Sequence, residues 1–194
     1  MKLGNIATVR SGLVLSRKQS DEPSAIRYPL LNLRSINPDG YIDAELLDVF
    51  GAAEHLSSEY LSQVGDIIIR LSVPHTAILI DEPMAGMVIS SNFIIIRTDR
   101  KELLPEYLFW LINTQKVKRA IYENTSSNML GAIKAKFYSE LEIPRLPIAK
   151  QQQIADMNAL ALREARLLRQ LATEKERYYS LLIDRTHKEM KRGN

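Results

Sequence analysis

The 194-residue chain has no cysteine, which excludes a disulfide scaffold, a zinc ribbon and thiol catalysis together. Its eight glycines and eight prolines are too few for a collagen-like or low-complexity chain. Long apolar runs are missing as well. The aliphatic stretches Ala77 to Ile80 and Phe93 to Ile96 are four residues each, far short of the ~20 a membrane span needs. The opening residues lack an apolar signal core and meet Arg10 early, so no export is expected and the cytoplasm is the expected compartment.

Marks of catalysis are equally scarce. The three histidines, His55, His75 and His187, lie far apart without metal-ligand spacing, and each is expected at the surface. There is no Gly-x-Gly-x-x-Gly, no phosphate-loop Gly-x-x-x-x-Gly-Lys and no His-Glu-x-x-His. Asn37-Pro38-Asp39-Gly40 lacks the second proline and the aromatic of an amino-methyltransferase motif, and reads as a tight turn. The chain is expected to catalyse nothing and to carry no metal or cofactor of its own.

What is present is 45% hydrophobic residues, enough for a real core, and a split in charge. Residues 1–100 hold nine basic against twelve acidic side chains, whereas residues 101–194 hold seventeen against eleven. A net charge of +3 therefore conceals a basic second half, as a nucleic-acid binder shows.

Hydrophobic patterning divides the chain near residue 148. Before it, short β-branched runs at Ile67–Ile69, Ala77–Ile80, Met87–Ile89 and Phe93–Ile96 alternate with turn signals such as Gly65-Asp66 and Glu82-Pro83. They predict a small, largely antiparallel sheet. Pro105 opens a helix whose apolar face is Tyr107, Leu108, Leu111 and Ile112, and an irregularity is expected near Asn113-Thr114. Tyr107 and Trp110 are read as core rather than as stacking platforms. From Lys150 to His187 there is neither glycine nor proline, which predicts a rod of roughly 55 Å. Its seam of Ala161, Ala165, Leu168, Leu171, Tyr178 and Leu182 asks for another helix. The expected class is α+β: residues 1–148 a β-rich domain with peripheral helices, residues 149–194 a long coiled-coil-type helix.

Taken in order, these landmarks resemble the specificity subunits of type I restriction-modification systems. Lys2-Leu3-Gly4-Asn5-Ile6 is similar to the opening of their target-recognition domains, and Gly65-Asp66-Ile67-Ile68 to a characteristic strand start. Ser90 to Arg97, Leu104-Pro105-Glu106-Tyr107-Leu108 and Leu141-Glu142-Ile143-Pro144 with Gln151-Gln152-Gln153-Ile154 resemble later segments. Family members usually hold two recognition domains and two spacer helices, and this chain has one of each and no internal repeat.

The resemblance implies a subunit that binds double-stranded DNA and chooses its sequence. Separate methyltransferase subunits, carrying S-adenosylmethionine, would modify adenine, and a nuclease/translocase subunit would join them. A homodimer through antiparallel helices would read a bipartite, palindromic site. Expected DNA contacts are Arg17, Lys18, Arg34, Arg70, Ser72, His75, Asn128, Lys134 and Lys136. Arg70 and Asn128 are expected on bases, and Lys18, Lys134 and Lys136 on phosphates. The competing reading is a non-catalytic protein-interaction module with a coiled-coil assembly arm.

Overall fold

The computed structural model describes residues 1–22, 24–37, 40–126 and 135–192. Seven strands, β1 (Ala7–Ser11), β2 (Ile26–Leu31), β3 (Asp48–Ala52), β4 (Ile67–Arg70), β5 (Ala77–Leu79), β6 (Val88–Ile89) and β7 (Phe93–Thr98), form the first part. Helices α1 (Pro105–Asn113), α2 (Gln115–Ser126), α3 (Ala135–Glu140) and α4 (Ile148–Arg192) follow. The class is α+β with mostly antiparallel pairing and a long C-terminal helix, as the patterning predicts.

The single small sheet expected from sequence is in fact two. One has the order β1-β7-β4-β5 and the other β3-β2-β6. All pairings are antiparallel except β2 with β6. The reason is visible in the triple isoleucines. Successive side chains on a strand point to opposite faces, yet Ile67, Ile68 and Ile69 are all fully buried. Ile67, Ile69, Ile94 and Ile96 pack with Leu104, Tyr107, Leu108 and Ile112 on the helix side. Ile68, Ile78, Phe93 and Ile95 pack with Leu31, Met87 and Ile89 on the side of the smaller sheet. The first sheet is thus the middle of three layers, which is why its strands show no polar alternation.

Asp66 and Arg97 tie this middle layer to the loops before it. Arg97 Nε donates to Asp66 Oδ1 at 2.8 Å and Nη2 to Oδ2 at 3.0 Å. The same Nη2 reaches the carbonyl of Leu61 at 2.6 Å, and Gln63 N–H donates to Asp66 Oδ2 at 2.8 Å. The turn that delivers Asp66 needs a glycine, since Gly65 has φ +86°. Burial pushes the Asp66 carboxyl above its ordinary pKa, against the opposing pull of Arg97 and the Gln63 N–H.

The last described connection out of this layer is closed by backbone and amide bonds. Leu3 N–H donates to Leu141 O at 2.9 Å and Ile143 N–H to Met1 O at 2.8 Å. Buried Gln151, in the first turn of α4, accepts from Leu104 N–H at 2.9 Å. It donates to Glu102 O at 3.0 Å and Leu146 O at 2.9 Å. The chain divides into two units, Met1–Ala155 and Asp156–Asn194, so these first turns of α4 belong with the β-rich part. Tyr107 is buried in the helix-side core with Trp110 at 5.7 Å between ring centroids, in agreement with a packing role.

Arg97→Ala should cost about 3 kcal/mol, because it strands a buried carboxylate. Arg34→Ala removes only an exposed ion pair with Asp48 and should cost at most about 0.5 kcal/mol. Urea unfolding of the two variants measures the difference.

Candidate nucleic-acid interface

The register of the four-stranded sheet gathers loops at one end. Ser11 pairs with Ile94, Arg70 with Phe93 and Ile69 with Ala77. The chain therefore leaves β1 and β4, and enters β5 and β7, at the same sheet end. Three connections hang there: the segment after Ser11, residues 71–76 and residues 90–92. Main-chain bonds lock them together, from Leu71 N–H to Asn92 O at 3.0 Å and from Ser91 N–H to Leu13 O at 2.7 Å. Gly12 makes the closest approach. A Cβ there would lie 2.3 Å from the carbonyl oxygens of Ile89 and Ser90, so no other residue fits without moving backbone.

Arg70 and Ser72 lie at this end, whereas Arg17 and Lys18 follow on the segment after β1, where Gln19 pairs with Ala52 at the end of β3. Arg17 is exposed on the 3-10 turn Leu15–Arg17, and Lys18 follows it, paired with Glu54. Arg70 closes β4 and donates from Nε to Ser72 Oγ at 2.7 Å, and Ser72 is exposed. A cleft of about 530 Å³ opens among Arg10, Arg17, Lys18, Glu59 and Tyr60. The Lys18 ammonium and the Glu54 carboxylate hold each other charged, raising the lysine's pKa and lowering the glutamate's through their hydrogen bond. Exposed pairs of this kind are worth little, so a phosphate can displace Glu54 at small cost.

The other expected contacts lie elsewhere. Arg34 lies in the turn after β2, where its guanidinium pairs with Asp48, the first residue of β3. Lys136 is exposed on α3, 3.9 Å from Glu140. Asn128 and Lys134 lie outside the described residues.

His75 corrects the sequence reading, which put it at the surface. It is buried, with φ +54°, in the turn closed by its own N–H on Ser72 O at 2.9 Å. Its Nδ1 has no hydrogen-bond partner among the described residues. His75 shapes the loop that carries Arg70 and Ser72, and does not reach outward with them.

Sequence reasoning missed several exposed groups. Ser91 and Asn92 are exposed at the same sheet end, the two positions just ahead of β7. Arg10 lies 4.8 Å above the Tyr60 ring and donates to Glu59 at 2.6 Å. A second basic group sits on α2, where Lys116, Lys118 and Arg119 line a cavity of about 590 Å³ with Gln115 and Tyr122. The basic second half of the sequence was its signal, since Val117, Ala120 and Ile121 mark the opposite, apolar face of that helix.

In the second unit, Leu168, Leu171, Tyr178 and Leu182 are exposed, as are Met157, Leu160 and Tyr179. Ala161 is exposed and Ala165 half-buried. Among the described residues, no group of acidic and histidine side chains could hold a metal ion. None of the helices there is long and apolar enough to cross a membrane.

No protein-family model matches the chain, and no curated protein matches it. Solved structures do. The HsdS subunit from Thermoanaerobacter tengcongensis superposes over 94% of this chain with a TM-score of 0.66 and 19% identity. A chain from a structure of the type I R-M system, solved for its complex assembly and conformational transition, superposes over 94% with a TM-score of 0.65 and 21% identity. The chain thus has the fold of a type I specificity subunit. It spans 46% of the length of each of these two chains.

His75 supplies a pH test. Burial lowers its pKa from the ordinary 6.5, so the unfolded chain takes up a proton that the folded chain resists. The histidine's contribution to stability is fully present above the unfolded pKa of about 6.5 and is lost as pH falls below it. His75→Asn, which tolerates the left-handed backbone, should flatten the stability profile between pH 7 and 5. Urea midpoints across that range, wild type against variant, isolate this contribution from that of Asp66, which is common to both.

Proposed function

We propose that the chain is a half-length DNA-specificity subunit of a type I restriction-modification system. One observation carries this reading: almost all of the chain matches less than half of an HsdS subunit. In this reading residues 1–148 are a single target-recognition domain, and residues 149–194 the spacer helix that pairs with a second copy. The subunit acts in the cytoplasm and catalyses nothing itself. Methyltransferase subunits with S-adenosylmethionine dock on the paired helices, and a nuclease/translocase subunit completes the assembly.

Recognition divides between charge and shape. Lys18, Arg17 and Lys136 bear on phosphates, together with the α2 group of Lys116, Lys118 and Arg119. Contacts of this kind fix register and carry no sequence information. Arg70 reads bases: a guanidinium at the rim of a loop can take the O6 and N7 edge of guanine in the major groove. Ser72, through its hydrogen bond, aims that guanidinium. Asn92 beside it has the donor and acceptor that adenine's edge requires. Asn128 and Lys134 keep their proposed roles on base and phosphate, as Arg34, in the turn after β2, keeps its place as a DNA contact. A two-fold pair of identical domains then reads two identical inverted half-sites separated by a fixed gap.

Mapping adenine methylation in a host carrying the chain and its methyltransferase partner tests this directly. Deleting the chain should abolish methylation at one interrupted palindrome and leave other sites unchanged. Unchanged methylation would reject the specificity role and favour the interaction module.

Salt dependence gives a second prediction for the complex with its methyltransferase subunits. Six or more phosphate contacts should lower DNA affinity roughly a thousandfold between 50 and 200 mM salt. Lys116→Ala combined with Lys118→Ala should reduce the slope of log K against log salt by about 2 without changing the preferred sequence. A fluorescence-anisotropy titration reads both quantities.

A further inference from the structure

The exposed seam of α4 contains two charges where a seam wants hydrocarbon. Met157, Ala161, Glu164, Leu168, Leu171, Lys175, Tyr178 and Leu182 follow one another at alternating steps of four and three. This is an unbroken heptad stripe, on a single continuous helix whose members are all exposed. Glu164 and Lys175 are its only charged positions. On one helix, groups three and four residues apart are neighbours. Around Glu164 those neighbours are Leu160, Ala161, Leu167 and Leu168. Around Lys175 they are Leu171, Ala172, Tyr178 and Tyr179. Neither charge can find an opposite one on its own helix, and each is ringed by side chains that a partner helix would cover.

We infer that these two residues set the direction and register of self-pairing, each Glu164 meeting Lys175 of a second copy in an antiparallel pair centred between Arg169 and Gln170. This rests on the reading above that the helix pairs with a copy of itself. The whole seam fits that centre. Leu168 meets Leu171 of the other copy, small Ala161 meets large Tyr178, and Met157 meets Leu182. Every layer then joins opposite heptad positions, as antiparallel packing requires. A parallel pair would set Glu164 against Glu164 and Lys175 against Lys175. Sliding the antiparallel pair by one heptad either way would bury Glu164 against Leu168 or Leu182, and Lys175 against Met157 or Leu171. Each alternative leaves charges repelled or unpaired in an apolar seam, whereas one register pairs both. The seam spans about 38 Å from Met157 to Leu182, and a helix with another charge layout is excluded by the same rule.

Sedimentation of the full-length chain, with differently tagged copies for mixing, tests the pairing. Wild type should be dimeric. E164K and K175E should each weaken the dimer about a hundredfold or more, with helix content unchanged by circular dichroism. An equal mixture of the two variants should dimerise again. The double variant E164K/K175E should form its own dimer and refuse to mix with wild type. Single reversals that dimerise as well as wild type would overturn the inference. So would a double variant that prefers wild type to itself, which is the behaviour of a parallel pair. A monomeric wild type would overturn self-pairing, while the methylation map would still decide the specificity role independently.

Discussion

The ion pair between Asp66 and Arg97 holds the middle of this molecule. Asp66 immediately precedes β4, which lies between β7 and β5, and Arg97 is the next-to-last residue of β7, which lies between β1 and β4. Their two parallel hydrogen bonds fix the relative position of the chain on either side of 30 intervening residues, and the remaining reach of Arg97 gathers in the carbonyls of Leu61 and Ser58. A charge pair of this kind has little net worth compared with a hydrocarbon contact, but an arrangement that misplaces one partner leaves the other buried and unpaired. The pair therefore acts against wrong registers more than it adds stability. With the middle layer set, the helix-side and sheet-side cores can form on its two faces.

The segments by which the sequence resembles specificity subunits turn out to meet in space. The opening Lys2-Leu3-Gly4 lies along Leu141-Glu142-Ile143 through Leu3 N–H and Ile143 N–H. Gly65-Asp66 meets Arg97, and Leu104 meets Gln151. These are joints of the scaffold, each specified by burial and hydrogen bonding that few residue types can satisfy. Such residues identify a fold well. These joints are made by main-chain groups and buried or half-buried side chains, so they themselves carry no information about a DNA sequence.

That division explains what could be read in advance. Strand positions β4 to β7, the helix from Pro105, its break at Thr114 and the extent of α4 follow from period and punctuation, which are local. The layering was hidden because Ile67, Ile68 and Ile69 show no alternation, and a strand buried on both faces looks the same whether one sheet or two lie against it. The gathering of Arg70, Ser72, Ser91 and Asn92 at one sheet end depends on strand order, which periodicity does not carry. His75 was misread because no sequence signal marks the turn, with φ +54° at the buried histidine, that holds it. Asn92 was overlooked because it sits beside a run whose isoleucines dominate the pattern.

The loops at the sheet end have a consequence for descent as well as for binding. Their shape is held by main-chain bonds, Leu71 N–H to Asn92 O and Ser91 N–H to Leu13 O, and by the absence of a side chain at Gly12. Ser72, Ser91 and Asn92 point outward and belong to none of the three cores. Substitutions at exposed positions of this kind change stability by about 0.5 kcal/mol or less. New chemistry can therefore be tried on a loop that keeps its form, so that innovation at this edge proceeds without a matching repair inside.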